Sequence, residues 1–284
     1  MDYEAKVQYY IKKYPDKISV AGVSHNDVKL ASSLNSNKKV AGFENLFITE
    51  GLWAFEKLIY FGIKTKYMFF CPEFIKTTED EAVLEKMIRH AEKTYVVSIK
   101  ACKKISEREG TEGFFCICKF RSYIADDISL DNNNIVVILD GLEQPGNIGS
   151  IIRSADAAGA DGIIVCNRRV RLTHSRLIRA SLGGIFSVPT FEMDINDAIQ
   201  WLKKNKFKIF LTDLNASAAF YEPDYNGRIA IVAGNEYSGV SKTWYEHDCT
   251  SIIIPMFGSC ESLNVGFATT MTLYQASLKQ KGMI

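Results

Sequence analysis

The stretch SIIIPMFGSCESLNVGFATTMTLYQ, residues 251–275, decides the fold of the C-terminal half. Its apolar start predicts a strand that ends at Pro255, and a glycine-containing loop follows. The chain then enters a predicted helix over 262–279, for which Ser262 is a suitable N-cap. Because the first backbone N–H groups of a helix have no partners within the helix, this junction can also bind a ligand.

The segment DGLEQPGNIGSIIRSADAAGA, residues 140–160, follows an apolar strand and predicts a tight turn at Pro145–Gly149 into a helix over 148–158. A glycine-containing turn after a strand can also bind a dinucleotide. Here, however, the spacing is GNIG instead of GxGxxG, and the next strand ends in Cys166-Asn167 instead of an acidic residue. We therefore do not expect a nicotinamide cofactor.

The segment GNEYSGVS follows a strand predicted over 229–233, and another strand is predicted over 208–212. Gly234 permits close approach of a ligand to the backbone, Glu236 is expected at the sheet edge, and Gly239 is expected to open a helix. The strands are continuously apolar and rich in Ile and Val, as in a parallel sheet that is buried on both faces. Ligands bind at the carboxyl edge of such sheets, where all three segments are expected.

In this order, the patterns NxGxxxR, GNExxGxS and IPMxGxxxSLNV resemble the three signature motifs of the SpoU (TrmH-like) family of RNA ribose 2′-O-methyltransferases, in the SPOUT class. The resemblance runs from around Asn134 to the end of the chain. It implies an α/β fold with a parallel sheet, a C-terminal segment threaded into a trefoil knot, and a homodimer. It also implies S-adenosylmethionine as cofactor, bound by backbone atoms of Gly234, Ile254 and Leu263 in a pocket lined by Met256.

The same resemblance points to Arg153 as the central catalytic residue, with Asn147, Glu236, Ser262 and Asn264 around it. A guanidinium has a pKa above about 12 and stays charged, so it is a poor general base. We expect Arg153 to hold an RNA phosphate and to stabilise the developing 2′-alkoxide.

The N-terminal half predicts a separate small α/β domain. The run NLFITEGLWAFEKLIYFGIK is similar to the N-terminal RNA-binding domain of many family members, and the segments 23–51 and 108–117 fit the entry and the last strand of that domain. We expect an RNA-binding domain over 1–120, a polar linker over 121–134 and a methyltransferase domain over 135–284.

The segment RRVRLTHSRLIR, residues 168–179, is strongly basic, although the net charge of the chain is only +1. Charge runs are usually solvated faces. Several arginines without an acidic neighbour nevertheless favour a strip that binds RNA phosphates. The members of this arginine strip are Arg168, Arg169, Arg171, Arg176 and Arg179.

The seven cysteines are scattered without a CxxC pair, so no metal site is expected. No secretory leader is visible, and the apolar runs fall short of the roughly 20 residues that span a membrane. These features predict a cytoplasmic protein without a membrane or metal partner.

Together, these patterns predict an S-adenosylmethionine-dependent enzyme that methylates a ribose 2′-hydroxyl of structured RNA. The N-terminal domain favours ribosomal RNA over tRNA. A tRNA ribose methyltransferase is one alternative. A non-catalytic RNA-binding assembly factor on the same fold is another, against which the presence of Asn147, Arg153, Glu236 and Asn264 argues.

Overall fold

The computed structural model describes residues 3–106 and 110–284, which divide into two units. The N-terminal unit extends to Arg121 and also includes Thr173–Ser175, while the C-terminal unit contains residues 122–172 and 176–284. The helix Ser175–Ala180 therefore has its first residue in the N-terminal unit and the others in the C-terminal unit. Part of the segment expected to form the last N-terminal strand, residues 108 and 109, lies outside the described residues. The strand itself begins at Phe114.

The N-terminal unit contains a five-stranded mixed sheet. Its elements are α1 (Tyr3–Lys13), β1 (Ile18–Val20), α2 (Asn26–Asn35), β2 (Leu46–Glu50), α3 (Leu52–Tyr60), β3 (Thr65–Phe70), α4 (Thr78–His90), β4 (Lys93–Val96), α5 (Ile99–Ile105) and β5 (Phe114–Lys119). In the order β1-β4-β3-β5-β2, the first three strands are parallel and β5 is antiparallel to both of its neighbours. Phe69 and Phe115 of the central strands are fully buried.

The C-terminal unit is built on a seven-stranded parallel sheet. Its elements are β6 (Ile135–Asp140), α6 (Pro145–Ala158), β7 (Gly162–Cys166), α7 (Ser175–Ala180), α8 (Gly184–Ser187), β8 (Thr190–Glu192), α9 (Ile195–Lys204), β9 (Lys208–Thr212), β10 (Ala218–Ala219), β11 (Ile229–Ala233), α10 (Lys242–Tyr245), β12 (Thr250–Ile253) and α11 (Val265–Gln280). The strand order is β10-β12-β9-β11-β6-β7-β8. The predicted α/β class with a parallel C-terminal sheet is confirmed.

The last strand, β12, lies inside this sheet between β10 and β9 and is not added at an edge. The chain then continues into α11, which packs along α6, where Thr270 Oγ1 and Ser154 Oγ are hydrogen-bonded at 2.8 Å. This order accommodates the knot implied by the family resemblance. The threading itself stays a prediction.

Helices cover the C-terminal sheet, which explains its continuously apolar strands. Ile199 of α9 and the fully buried Trp244 of α10 belong to one core cluster with Ile138 and Val232 of the sheet. Alternate strand residues point to the opposite face, and α6 and α11 contribute nothing to this cluster.

The segment 121–134 is not the free linker that its polar composition suggested. Ile128 is 5% exposed and belongs to the core of the C-terminal unit, with Tyr123 and Leu130 packed against the same cluster. A Cβ atom at Gly162 would lie 2.5 Å from Ile128 Cδ1, so the strand and this segment fit closely. A few apolar positions within a polar sequence are enough to attach it to the sheet.

Two predicted helix starts are wrong. Helix α6 begins at Pro145, so the Pro-Gly-Asn run forms its first turn and not a tight turn before it. Proline fits there because the first N–H groups of a helix have no helical acceptor. Helix α11 is capped by Asn264 and not by Ser262, since Asn264 Oδ1 accepts the Gly266 N–H at 2.9 Å.

Helix α11 carries apolar residues on two sides. Leu273 and Ala276 are fully buried, whereas Phe267, Met271 and Tyr274 are 69%, 42% and 40% exposed. The exposed three follow one another at helical spacing and form a stripe along the free side. None of the described helices has the length and apolar character needed to cross a membrane.

Candidate active site

Side-chain hydrogen bonds connect the three sequence motifs at the carboxyl end of the parallel sheet. Asn147 Nδ2 donates to Glu236 Oε1 at 2.9 Å, and Asn264 Nδ2 donates to Asn147 Oδ1 at 3.1 Å. These bonds join residues 89 and 117 positions apart in the sequence. The structure therefore brings together three of the five residues predicted to be catalytic.

Glu236 lies in front of the first turn of α6. Its carboxylate also accepts the backbone N–H groups of Glu143 at 3.2 Å and Gln144 at 3.3 Å. Burial raises the pKa of Glu236, but the hydrogen bonds from Asn147 and from these N–H groups outweigh it, and the pKa lies below its usual value. The positive end of the helix dipole acts in the same direction. Glu236 is therefore ionised at neutral pH and is a weak proton acceptor.

The loop that presents Glu236 is closed on itself. Asn235 and Gly239 exchange two backbone hydrogen bonds of 2.9 and 3.0 Å, and Asn235 Nδ2 donates to the carbonyl of Gly141 at 2.8 Å. Gly239 has a φ of 72° and makes the turn of this loop, whereas the sequence suggested that it opens a helix. The next helix begins only at Lys242.

Gly234 has no room for a side chain, and its own loop is the reason. A Cβ atom there would lie 2.3 Å from both the Gly239 carbonyl carbon and the Val240 nitrogen. The close approach predicted from this glycine is therefore made by the protein backbone, although Gly234 also lines the neighbouring cleft.

Asp140, at the end of β6, is a buried carboxylate that the sequence analysis missed. It is 1% exposed and accepts hydrogen bonds from Asn167 Nδ2 at 2.7 Å and from the Ser241 N–H at 2.8 Å. These contacts connect the loops that follow three adjacent strands. The available signal was a carboxylate at the end of an apolar strand.

A cleft of about 720 Å³ lies beside the connected motifs. Its walls are formed in part by all four residues predicted to bind the cofactor and by three of the residues predicted to be catalytic. These are Gly234, Ile254, Met256, Leu263, Glu236, Ser262 and Asn264. Ligand pockets typically measure ~300–1,000 Å³, so the cleft suits a nucleoside-sized molecule. Within residues 3–106 and 110–284, no group of three or more His, Cys, Asp or Glu side chains could hold a metal ion.

One wall of the cleft comes from the end of β9, which the sequence analysis did not include. Asp213 Oδ2 accepts from the Tyr245 hydroxyl at 2.7 Å, and Asp213 Oδ1 accepts the Asn215 N–H at 2.9 Å. Burial, followed by the contact with Asp213, raises the pKa of Tyr245 to about 12, so this hydroxyl remains a donor at neutral pH. The signal was the position of Asp213 directly after a predicted strand.

Arg153 does not line the cleft with the other predicted catalytic residues. It is exposed on α6, and no residue in the described ranges forms an ion pair or hydrogen bond with its side chain. Arg153 follows Asn147 by six residues, which rotates it by about 240° around the helix axis. Helix geometry therefore separates these two residues, and the catalytic role expected of Arg153 stays a prediction.

The arginine strip has a partner outside its own segment. Arg168 Nε lies 3.0 Å from Glu192 Oε2 on the neighbouring β8, and both side chains are about two-fifths exposed. Arg169 is exposed, and no described residue pairs with it. The remaining members, which also interact with protein atoms, are Arg171, Arg176 and Arg179.

Solved structures share this architecture. The AdoMet-bound rRNA methyltransferase from Sinorhizobium meliloti superposes with a TM-score of 0.82 at 26% identity, over 94% of this chain and 98% of that one. The parallel sheet and the three connected motifs therefore define a protein of the SPOUT class.

Sequence comparison identifies the family within that class. Residues 134–274 match the model of the SpoU rRNA Methylase family. The chain is 26% identical to the 23S rRNA (guanosine(2553)-2′-O)-methyltransferase RlmP of Bacillus subtilis, over 84% of this chain and 90% of RlmP. It is 35% identical to a Staphylococcus saprophyticus protein assigned to the TrmH family of tRNA/rRNA methyltransferases, over 57% of this chain and 65% of that relative. The chain belongs to the SpoU rRNA methylase family, as its motifs predicted.

Proposed function

We propose that this protein transfers a methyl group from S-adenosylmethionine to a ribose 2′-hydroxyl of ribosomal RNA. The observation that carries the proposal is the hydrogen-bonded series Asn264–Asn147–Glu236 beside the cleft. The names of the two relatives that cover most of the chain support it. One is a 23S rRNA 2′-O-methyltransferase and the other is an AdoMet-bound rRNA methyltransferase.

The cleft suits this cofactor chemically. Adenine is flat and uncharged, and Ile254, Met256 and Leu263 offer it apolar contacts. Strand ends and the loop after β11 add backbone donors and acceptors that can fix its orientation. When bound, the cofactor supplies an electrophilic methyl group on a positively charged sulfur.

The connected side chains hold the site in one arrangement. Ionised Glu236 fixes the Asn147 amide, which in turn fixes Asn264 at the start of α11. Ser262 places a further hydroxyl on the cleft wall. Rigid placement of this kind favours an in-line approach of the ribose, and such positioning contributes up to roughly 7–11 kcal/mol in favourable cases. An assembly factor without activity would not need these contacts.

We assign Arg153 to an RNA phosphate outside the cleft. Its guanidinium carries five N–H donors and no acceptor, which suits a phosphate group. It is also exposed and has no partner among the described residues, so it is available to an RNA ligand. This position supports phosphate binding more directly than contact with the developing 2′-alkoxide. The arginine strip, with Arg169 as its exposed unpaired member, is proposed to extend the RNA-binding surface.

We also propose that the protein forms a homodimer in the cytoplasm. The exposed stripe of Phe267, Met271 and Tyr274 on α11 is costly to leave in water, and a second copy can cover it. The relatives' ribosomal RNA substrates favour a cytoplasmic location.

The proposal is tested with purified protein, methyl-labelled S-adenosylmethionine, and unmodified ribosomal RNA and tRNA as separate substrates. We expect label in ribosomal RNA, released after digestion as 2′-O-methylnucleosides. Label only in tRNA would contradict the ribosomal substrate, and label on bases would contradict ribose methylation. A reaction with the Glu236→Gln variant serves as the background control.

A further inference from the structure

The cleft is lined by negative charge alone. Among the described residues that form its walls, Asp213 and Glu236 carry carboxylates, and none is lysine, arginine or histidine. A cleft lined by one sign of charge concentrates ligands of the opposite sign. It also repels RNA phosphates, which agrees with the placement of the arginines outside it.

Asp213 occupies a central position in this cleft. Val232 pairs with Leu211, and Ile252 pairs with Thr212. Asp213 directly follows the last residue of β9, so it lies between the ends of the two strands that lead to Gly234 and Ile254. Its N–H donates to the carbonyl of Ile252 at 3.0 Å, which fixes its backbone at this edge.

The Asp213 side chain is also held in place. The Tyr245 hydroxyl donates to one carboxylate oxygen and the Asn215 N–H donates to the other. Asn215 Nδ2 also donates to Oδ1 at 3.4 Å, so it is Oδ2 that can accept a further hydrogen bond, and the side chain is half-buried on the cleft wall. A fixed negative charge therefore faces any ligand in the cleft.

The methyl donor and its product differ in charge. The sulfur of S-adenosylmethionine is a sulfonium and carries a positive charge, whereas the sulfur of S-adenosylhomocysteine is a neutral thioether. The adenine, ribose, amino and carboxylate groups are the same in both. A fixed negative charge near the ligand therefore stabilises the donor relative to the product.

We propose that Asp213 is a specificity-determining residue that favours the cationic methyl donor over the neutral product. This inference rests on the proposed function, since it concerns the same cleft. Loss of the sulfonium charge on methyl transfer weakens binding of the product and favours its exchange for a new donor. A carboxylate at a strand end can instead bind ribose hydroxyls. Donor and product share those hydroxyls, so the two roles give different results.

The test is isothermal titration calorimetry of the full-length protein with three ligands. These are S-adenosylmethionine, S-adenosylhomocysteine and sinefungin, which carries a cationic amine in place of the sulfonium. Asp213→Asn keeps the side-chain shape but removes the charge: its amide oxygen can accept the Asn215 N–H, and its Nδ2 can donate to the Tyr245 hydroxyl oxygen. We expect this variant to bind both cationic ligands about fivefold more weakly than the parent, and the neutral product less than about twofold more weakly. Glu246→Gln, which removes a nearby exposed charge outside the cleft, should leave all three affinities unchanged.

If Asp213→Asn weakens the binding of all three ligands equally, Asp213 binds the nucleoside part that they share, and the inference is wrong. If the variant weakens the binding of none of them, the inference is wrong as well. A measurement on the unaltered protein covers the case in which Asp213→Asn does not fold. Raising the salt from about 50 mM to about 500 mM should reduce the preference for the cationic ligands, because salt screens the attraction. A preference that does not change with salt overturns the inference. If the protein neither binds S-adenosylmethionine nor methylates RNA, the proposed function is wrong as well. If it methylates RNA normally but shows no preference for the cationic ligands, only the role of Asp213 is wrong.

Discussion

Asn147 Nδ2 lies 2.9 Å from Glu236 Oε1, and this contact connects the first turn of α6 to the loop after β11. Strand β11 pairs directly with β6, the strand that precedes α6. Both loops therefore leave the same edge of the sheet side by side. The contact is a consequence of the parallel strand order, and it explains how motifs far apart in sequence form one site.

Glu236→Gln should abolish methyl transfer and make the stability difference from the parent depend on pH. The pKa of Glu236 is below its usual value, so the folded state favours the ionised form. That stabilisation is present above the ordinary glutamate pKa of about 4.3 and is lost as the pH falls through the lower folded-state pKa. Thermal unfolding of both proteins should show a constant difference in Tm near neutral pH that shrinks below pH ~4. A difference independent of pH would contradict the ionised role.

Gly234→Ala should destabilise the protein and weaken cofactor binding, because its Cβ atom overlaps the Gly239–Val240 backbone. Forcing the loop apart should cost about 1–3 kcal/mol of unfolding free energy, measured by chemical denaturation. Gly258→Ala is the matched control in another loop of the site. It has nothing within 4 Å of the added Cβ and should be tolerated. Equal stability of the two variants would show that the loop adapts to the side chain.

Five of the seven strands of the C-terminal sheet were predictable because each is a short apolar run between polar residues, whereas β8 and β10 have only three and two residues and were not predicted. Strands β9 and β11 have the predicted bounds, Lys208–Thr212 and Ile229–Ala233. Helix starts were less predictable, since Ser262 and Asn264 are both good N-caps and only the path of the chain selects Asn264.

The candidate site was predictable where its motifs are contiguous in sequence. To predict the hydrogen-bonded series Asn264–Asn147–Glu236, the order of the strands in the sheet must also be known, and the hydrophobic periodicity of the sequence does not specify it. Asp213 was missed because no motif contains it, and its importance depends on the strands on either side. Arg153 was expected from the family resemblance, and its catalytic role stays a prediction, since it is exposed on α6 and is not among the residues that line the cleft.

Arg153→Ala should leave the fold and S-adenosylmethionine affinity intact but lower kcat/KM for RNA at least about tenfold, or about 1.4 kcal/mol. The reason is the loss of an unpaired, exposed guanidinium that holds a phosphate. Arg153→Lys should recover part of the activity, because lysine keeps the charge but not the planar fork. Lys204→Ala, an exposed cation on α9, is the control. A change within about threefold for Arg153→Ala would refute its role.

Phe267→Glu should convert a dimer into a monomer without unfolding it. Phe267 is 69% exposed at the start of the α11 stripe, so the substitution costs little in the monomer. A symmetric dimer interface contains position 267 twice, once from each copy. Each phenylalanine buried there contributes about 1.5–3 kcal/mol to the free energy of association. Light scattering at micromolar concentration measures the mass. Tyr60→Glu, at an 80% exposed position in the N-terminal unit, should remain dimeric. A parent protein that is already monomeric would disprove the dimer.

The two first members of the arginine strip should differ in their effect on RNA binding. Arg168 is already paired with Glu192, whereas Arg169 is exposed and has no partner among the described residues. Each phosphate contact releases counterions, so log affinity falls with log salt at a slope near −0.7 to −0.9 per contact. Arg169→Gln should therefore flatten the slope by about 0.7–0.9, and Arg168→Gln by less. The affinity for S-adenosylmethionine should not change in either variant.

Glu192→Gln sharpens this comparison, because it releases Arg168 from its ion pair at 3.0 Å. If Arg168 can reach RNA, the variant should bind RNA more tightly and with a steeper salt slope than the parent. Filter-binding titrations at several salt concentrations measure all three variants. Lys204→Gln is the control for loss of one surface charge, and it should lower the affinity slightly without changing the slope. If Arg169→Gln has the same slope as the parent, the strip is a solvated face and RNA binds elsewhere.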